Sequence, residues 1–187
     1  ISPSRSSRVL KAYFGQSFQG GILNVDRYSA YKVIAQSGLF ILAFCWAHVR
    51  RDFLNYAKAY PLQETWALDW VDAIGKLYHL NHQRIQHQSS SQPFHQYDKQ
   101  LRHFIKQLHQ QLTQQLADPT LLMTAKKILM SLNHHWEGLT VFVTHPHVPM
   151  DNNLAEQSLR SAVVGRKNYY GSGALWSAQL AAALFTI

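Results

Sequence analysis

The chain has 187 residues, 47% hydrophobic and 15% charged, which excludes a disordered polymer and allows one sizeable core, alone or with a satellite module. Lys and Arg total 18 against 10 Asp and Glu, a formal charge of +8 that favours polyanions through counterion release and steering. Cys45 is the single cysteine, so no internal disulfide can form, and no apolar run reaches the roughly 18 residues that suggest a membrane-spanning helix.

No signal peptide is visible, and a cytoplasmic protein without a membrane partner fits best. The first residue is Ile1, and residues 1–25 carry no Asp or Glu. The chain therefore reads as a piece of something longer.

"SRSSRVLKAYFGQSFQGG" predicts a helix, capped by Ser6 or Ser7, with Val9, Leu10, Tyr13, Phe14 and Phe18 at helical spacing and Gly20 and Gly21 as its stop. "GILNVD" predicts a short strand ending at Asp26, and "RYSAYKVIAQSG" a helix through Tyr28, Tyr31, Ile34 and Ala35 that stops at Gly38. "LFILAFCWA" is continuously apolar, as in a strand covered on both faces. Strand, helix, strand in so short a span implies a right-handed crossover and a parallel pair.

From His48 to about Asn133 the periodicity is helical. Tyr97, Leu101, Phe104, Ile105, Leu108, Leu112 and Leu116 mark one apolar stripe, and Leu121, Leu122, Ile128, Leu129 and Leu132 mark another. The Gln- and His-rich faces read as solvated helix surface. "GLTVFVTHPHVPM" predicts an irregular connection with short strand character, and residues from 151 return to a helix. The expected fold class is α/β, mostly helical overall: residues 1–54 as a partial α/β core, 55–138 as a helical insertion, and 139–187 as the return to the core.

Two carboxylates stand out. Asp26 ends a parallel strand, where ligands gather in open α/β sheets, but Asp also caps helices. Asn153-Leu154-Ala155-Glu156 matches a capping box, and Glu156 lies four residues before Arg160, within reach of a surface ion pair. The same spacing lets a carboxylate hold a cation while the guanidinium grips a phosphate. His48, Arg50 and Arg51 follow the apolar strand and either meet those phosphates or form an ordinary first helical turn. Cys45 and His48 make a lone C-x-x-H pair, short of the four ligands zinc needs, and Cys45 reads as a buried strand residue. "GSGA" reads as a turn.

"NVDRYSAY", "CWAHVRRDF" and "DNNLAEQSLRSAVVGRKNYY" resemble, in order and spacing, the insertion-sequence-66 transposase family of bacterial mobile elements. The resemblance implies a ribonuclease-H-like DDE core, here incomplete because its early strands are missing, with a large all-α insertion between the second and third acids. It places Asp26 second and Glu156 third among the catalytic, metal-holding carboxylates. Two Mg²⁺ ions would serve strand cleavage and strand transfer of element ends into target DNA. It implies DNA contacts from Arg160, Arg166, Lys167, His48, Arg50, Arg51 and Asn153, a nucleoid-associated location, and leaves a homo-oligomer open. The family's first Asp has no counterpart ahead of Asp26, so this chain alone is expected not to cut DNA. A non-catalytic DNA-binding remnant, or partner of an intact transposase, is the alternative. A nuclease or junction resolvase on the same core is a third.

Overall fold

The structure, a computed structural model, describes residues 7–14, 20–36, 38, 40–168 and 173–184. After helix α1 (Ser7–Phe14) the backbone at Gly20 takes φ 96°, a left-handed turn that glycine tolerates, and leads into β1 (Gly21–Val25). Helix α2 (Ser29–Ala35) crosses to β2 (Phe40–Phe44). The strands run parallel, from Gly21 opposite Phe40 to Val25 opposite Phe44, as the strand–helix–strand pattern predicts. The expected continuation of the first helix to Gly20 falls on residues 15–19, outside the described residues.

β2 is shorter than its apolar run. Cys45 N–H donates to Val25 O at 3.2 Å as the last rung, and Trp46 and Ala47 already belong to helix α3 (Trp46–Ala59). The run stays apolar because the core continues from sheet into helix: Cys45, Trp46 and Val49 are all buried. Ile41, by contrast, is half exposed, so β2 is not covered on both faces within the described residues.

A 3-10 turn (Pro61–Gln63) links α3 to α4 (Glu64–Ile85), and α5 (Gln92–Ala117) returns antiparallel to α4. Ser91 caps α5 by accepting Phe94 N–H at 3.3 Å, with Pro93 in the first turn where its missing N–H does no harm. At one end of this hairpin Trp66 and Trp70 Nε1–H both donate to Gln115 Oε1, at 3.0 and 2.9 Å. At the other, Arg84 is paired with Asp98 at 2.9 Å. The α5 stripe is realised: Leu101, Leu108 and Leu112 are buried against Trp70, Ile74 and Leu77 of α4. Helix α6 (Met123–His134) adds Leu129 and Leu132.

Where "GLTVFVTHPHVPM" predicts short strand character, the described backbone holds two helical turns, α7 (Trp136–Leu139) and α8 (Val141–Thr144). The β-branched residues are overruled by hydrogen bonding. Thr140 Oγ1 bonds back to Trp136 O at 3.0 Å, Trp46 Nε1–H donates to Leu139 O at 2.7 Å, and Arg84 takes Phe142 O and Val143 O at 2.7 and 3.1 Å. Those carbonyls are satisfied by the side chains of Trp46, Arg84 and Thr140 without a ladder. Helices α9 (Asn153–Asn168) and α10 (Leu175–Leu184) complete the chain, and α10 buries no residue, with Trp176 and Leu180 exposed.

The product is a mostly helical molecule with one small parallel sheet. The main apolar cluster among the described residues runs from Val25 and Phe44 through Trp46 and Phe53 to Leu112, Leu129 and Phe142.

Candidate active site at the carboxyl edge of the sheet

Both strands end toward one edge, and three hydrogen bonds tie a later segment across it. Asn24 of β1 donates from Nδ2 to Pro149 O at 2.8 Å and to Asp151 O at 3.0 Å. Trp46 N–H, just past β2, donates to Met150 O at 2.9 Å. Buried Met150 and Val148 hold the same segment by packing. Helix α9 springs from this strap, so its first turn starts beside the carboxyl ends of the strands.

Asp26 follows β1 directly. Its Oδ1 accepts Tyr28 N–H at 3.0 Å, forming the turn that opens α2, while its second oxygen has no partner among the described residues. The neighbouring Arg27 is turned inward: its guanidinium pairs with Asp52 and donates to Ser131 Oγ at 3.1 Å, fastening the β1–α2 turn to α3 and α6.

Glu156 is not used as a capping-box acid. Its N–H donates to Asn152 O at 3.0 Å, and Asp151 Oδ1 accepts Asn153 N–H at 3.1 Å, so the helix begins one residue earlier than that box requires. Nor does it pair with Arg160, which is exposed on the next turn. Instead Glu156 Oε1 meets His48 Nε2 of α3 at 2.9 Å. Residues 108 apart are thereby joined.

Ala47, Arg50, Arg51, Leu54, Asp151 and Asn153, close in sequence to this pair, and Tyr78 of α4 line an open cleft of about 340 Å³. Arg50 and Arg51 are exposed and make no ion pair among the described residues. Tyr78 O–H donates to Asp151 Oδ2 at 3.2 Å. Burial, with the Asp151 carboxylate beside it, pushes the Tyr78 phenol far above its ordinary value, so the hydroxyl stays a donor.

The structure thus brings His48 to Glu156, and Arg50, Arg51 and Asn153 to one cleft. No hydrogen bond or ion pair joins Asp26 to Glu156, and among the described residues no three His, Cys, Asp or Glu side chains cluster as a metal site. Arg166 and Lys167 lie on α9, with side chains outside the described residues, and the first two residues of "GSGA" lie outside them too. Cys45 is buried at the turn after β2. Sequence reasoning missed Asn24, Tyr78 and Asp151. Asn24 and Asp151 sit inside the quoted motifs, but Tyr78 carries no local signal on its helix.

The family model described as "Transposase IS66 family" matches residues 1–180. An uncharacterized protein of Sinorhizobium fredii, y4jD, is 32% identical over 90% of this chain and 33% of its own length. A second from that organism, y4hP, is 27% identical over the same shares of the two chains. The chain spans about a third of the length of these relatives. No solved structure matches.

Proposed function

The chain belongs to the IS66 transposase family, and from that membership we propose that it forms the later part of a DDE catalytic region for Mg²⁺-dependent cleavage and strand transfer of element DNA. In this reading residues 1–54 and 139–187 are parts of a ribonuclease-H-like core, and residues 55–138 are a helical insertion. Asp26 and Glu156 are its second and third catalytic carboxylates. The observation that carries it is the strap: Asn24 and Trp46 bind residues 149–151 across the sheet's carboxyl edge, so Asp26 and the Glu156 helix start from the same edge.

Carboxylate oxygens are the hard donors Mg²⁺ takes, and Asp26 has one uncommitted oxygen. These two acids are one short of the family's three. Held by Asp26 and Glu156, Mg²⁺ would supply Lewis-acid activation of the attacking and leaving oxygens. The chain's own residues do the rest: His48 fixes the Glu156 carboxylate, and Arg50, Arg51, Arg160, Arg166 and Lys167, with Asn153, grip phosphates.

The test uses a full-length parent. Asp26→Asn and Glu156→Gln are expected to abolish Mg²⁺-dependent strand cleavage while DNA binding persists; a variant that still cuts rejects its residue's assignment. Strand-transfer products separate a transposase from a simple nuclease. A second reading, a DNA-binding module without its own catalysis, rests on the exposed Arg50 and Arg51 and the formal charge of +8. That module would bind DNA in a salt-sensitive way and leave it uncut.

A further inference from the structure

The cleft at Arg50, Arg51 and Asn153 has a lining that a phosphate site alone does not explain. Two exposed arginines without an ion pair among the described residues, Arg50 and Arg51, line it, which suits a phosphodiester. The Asp151 carboxylate, which repels phosphate, lines it too, bonded to the Tyr78 hydroxyl. Ala47 and Leu54 add apolar surface, and Asn153 an amide that both donates and accepts. Exposed cations, apolar side chains and polar acceptors in one cleft match one nucleotide: phosphate on the arginines, base against Leu54, exocyclic amine toward Asp151.

Size points the same way. At about 340 Å³ the cleft sits at the low end of small-molecule sites, room for one base and its sugar. Asn153 lies one helical turn before Glu156, so a strand whose phosphate lies at Glu156 passes the cleft with its neighbouring nucleotide.

We infer that this cleft receives a single unpaired nucleotide of the DNA strand next to the phosphate at Glu156. The inference rests on the function proposed above, which puts a DNA phosphate at Glu156. It makes strand separation at the cleavage position part of recognition, because a base inside a duplex cannot reach the pocket.

The experiment compares the 187-residue chain's affinity for a blunt duplex with its affinity for the same duplex carrying one unpaired nucleotide at a 3′ or a 5′ end. Both are measured by fluorescence anisotropy at fixed salt. One overhang is expected to bind about tenfold more tightly than the blunt duplex, the scale of one seated base. Leu54→Trp, which fills the cleft, is expected to bring that ratio close to one; Ala47→Phe fills it from another side if Leu54→Trp fails to fold. A ratio of affinities on one protein cancels a general loss of binding. Equal affinity for blunt and overhanging duplexes overturns the nucleotide cleft while leaving DNA binding intact, and a ratio unchanged in both variants overturns it too. No binding to any of the duplexes removes the DNA-binding reading and the cleft with it.

Discussion

Among the described residues the Glu156 side chain is held by one polar contact, and that contact separates positioning from stability. His48 and Glu156 side chains are 23% and 45% exposed, so the pair is screened by water and contributes less than about 1 kcal/mol to folding. Yet His48 Nε2 sets where the Oε1 oxygen stands. His48→Ala is therefore expected to shift the urea midpoint of the isolated chain slightly while lowering cleavage by the full-length parent on the order of tenfold to a hundredfold, the cost of a misplaced group. His48→Gln, which keeps a donor near the same reach, is expected to recover part of that rate. Unchanged cleavage in His48→Ala would leave the pair a surface contact and nothing more. The sequence singles out both residues, each from its own motif. It does not show that they touch, because the link depends on how a strap 100 residues later crosses the sheet. Tyr78 is hidden for a related reason: its partner Asp151 is set by tertiary packing, and an aromatic on a long helix reads as core.

At the scale of elements, the seat of α7 on β2 is tight enough to predict from geometry. A Cβ added at Gly138 would stand 2.8 Å from Leu42 O and press into the Phe44 ring. Backbone cannot yield there, so Gly138→Ala is expected to destabilise the chain by about 1–3 kcal/mol, read as a lower urea midpoint. The residue that leads into α7 adds a pH dependence. His135 is buried, its Nδ1–H donates to Ser131 O at 2.7 Å, and its Nε2 faces no partner. Burial pulls its pKa below the ordinary value, against the Ser131 carbonyl and with help from nearby Lys32, His134 and Arg27. A depressed folded pKa means the unfolded chain takes the proton first. The contribution is complete above the unfolded value of about 6.5 and is lost as pH falls from there through the folded value. His135→Leu is expected to flatten the fall in urea midpoint between about pH 7 and pH 5; an equally steep fall would place the titration on other histidines. This region is also where the sequence misleads. β-Branched residues and an intervening aromatic read as strand, while the carbonyls that decide the matter are claimed by Arg84 and Trp46 from other helices. The parallel pair, in contrast, is legible because its strands, crossover and glycine turns are all local.

Across the whole molecule the question is whether the helical block and the α/β pair stand or fall together. Arg84 is the group that decides it. It is fully buried on α4, pairs with Asp98 of α5, bonds Asn81 Oδ1 at 2.8 Å, and donates to Phe142 O and Val143 O of α8, which in turn packs beside β2. Removing the guanidinium leaves Phe142 O and Asn81 Oδ1 without their donor and a cavity in the core, while Asp98 and Val143 O keep Arg102. Arg84→Ala is expected to cost about 2–4 kcal/mol, from the orphaned buried acceptors and the emptied space. The location of the loss is the informative part. One apolar cluster joins Val25 and Phe44 to Leu108 and Leu129, so the destabilisation is expected to spread through a single cooperative transition. Native-state hydrogen exchange reads this directly: amides of β2 and of α5 should lose the same increment of protection in Arg84→Ala. If β2 amides keep their original protection while α5 amides exchange freely, the helical block is an independent unit. The strap over the sheet edge would then owe nothing to the block. A shared loss would instead make the helices between the two acidic motifs part of what holds Glu156 beside the strands, and would explain why a site of a few side chains is spread over so much intervening chain.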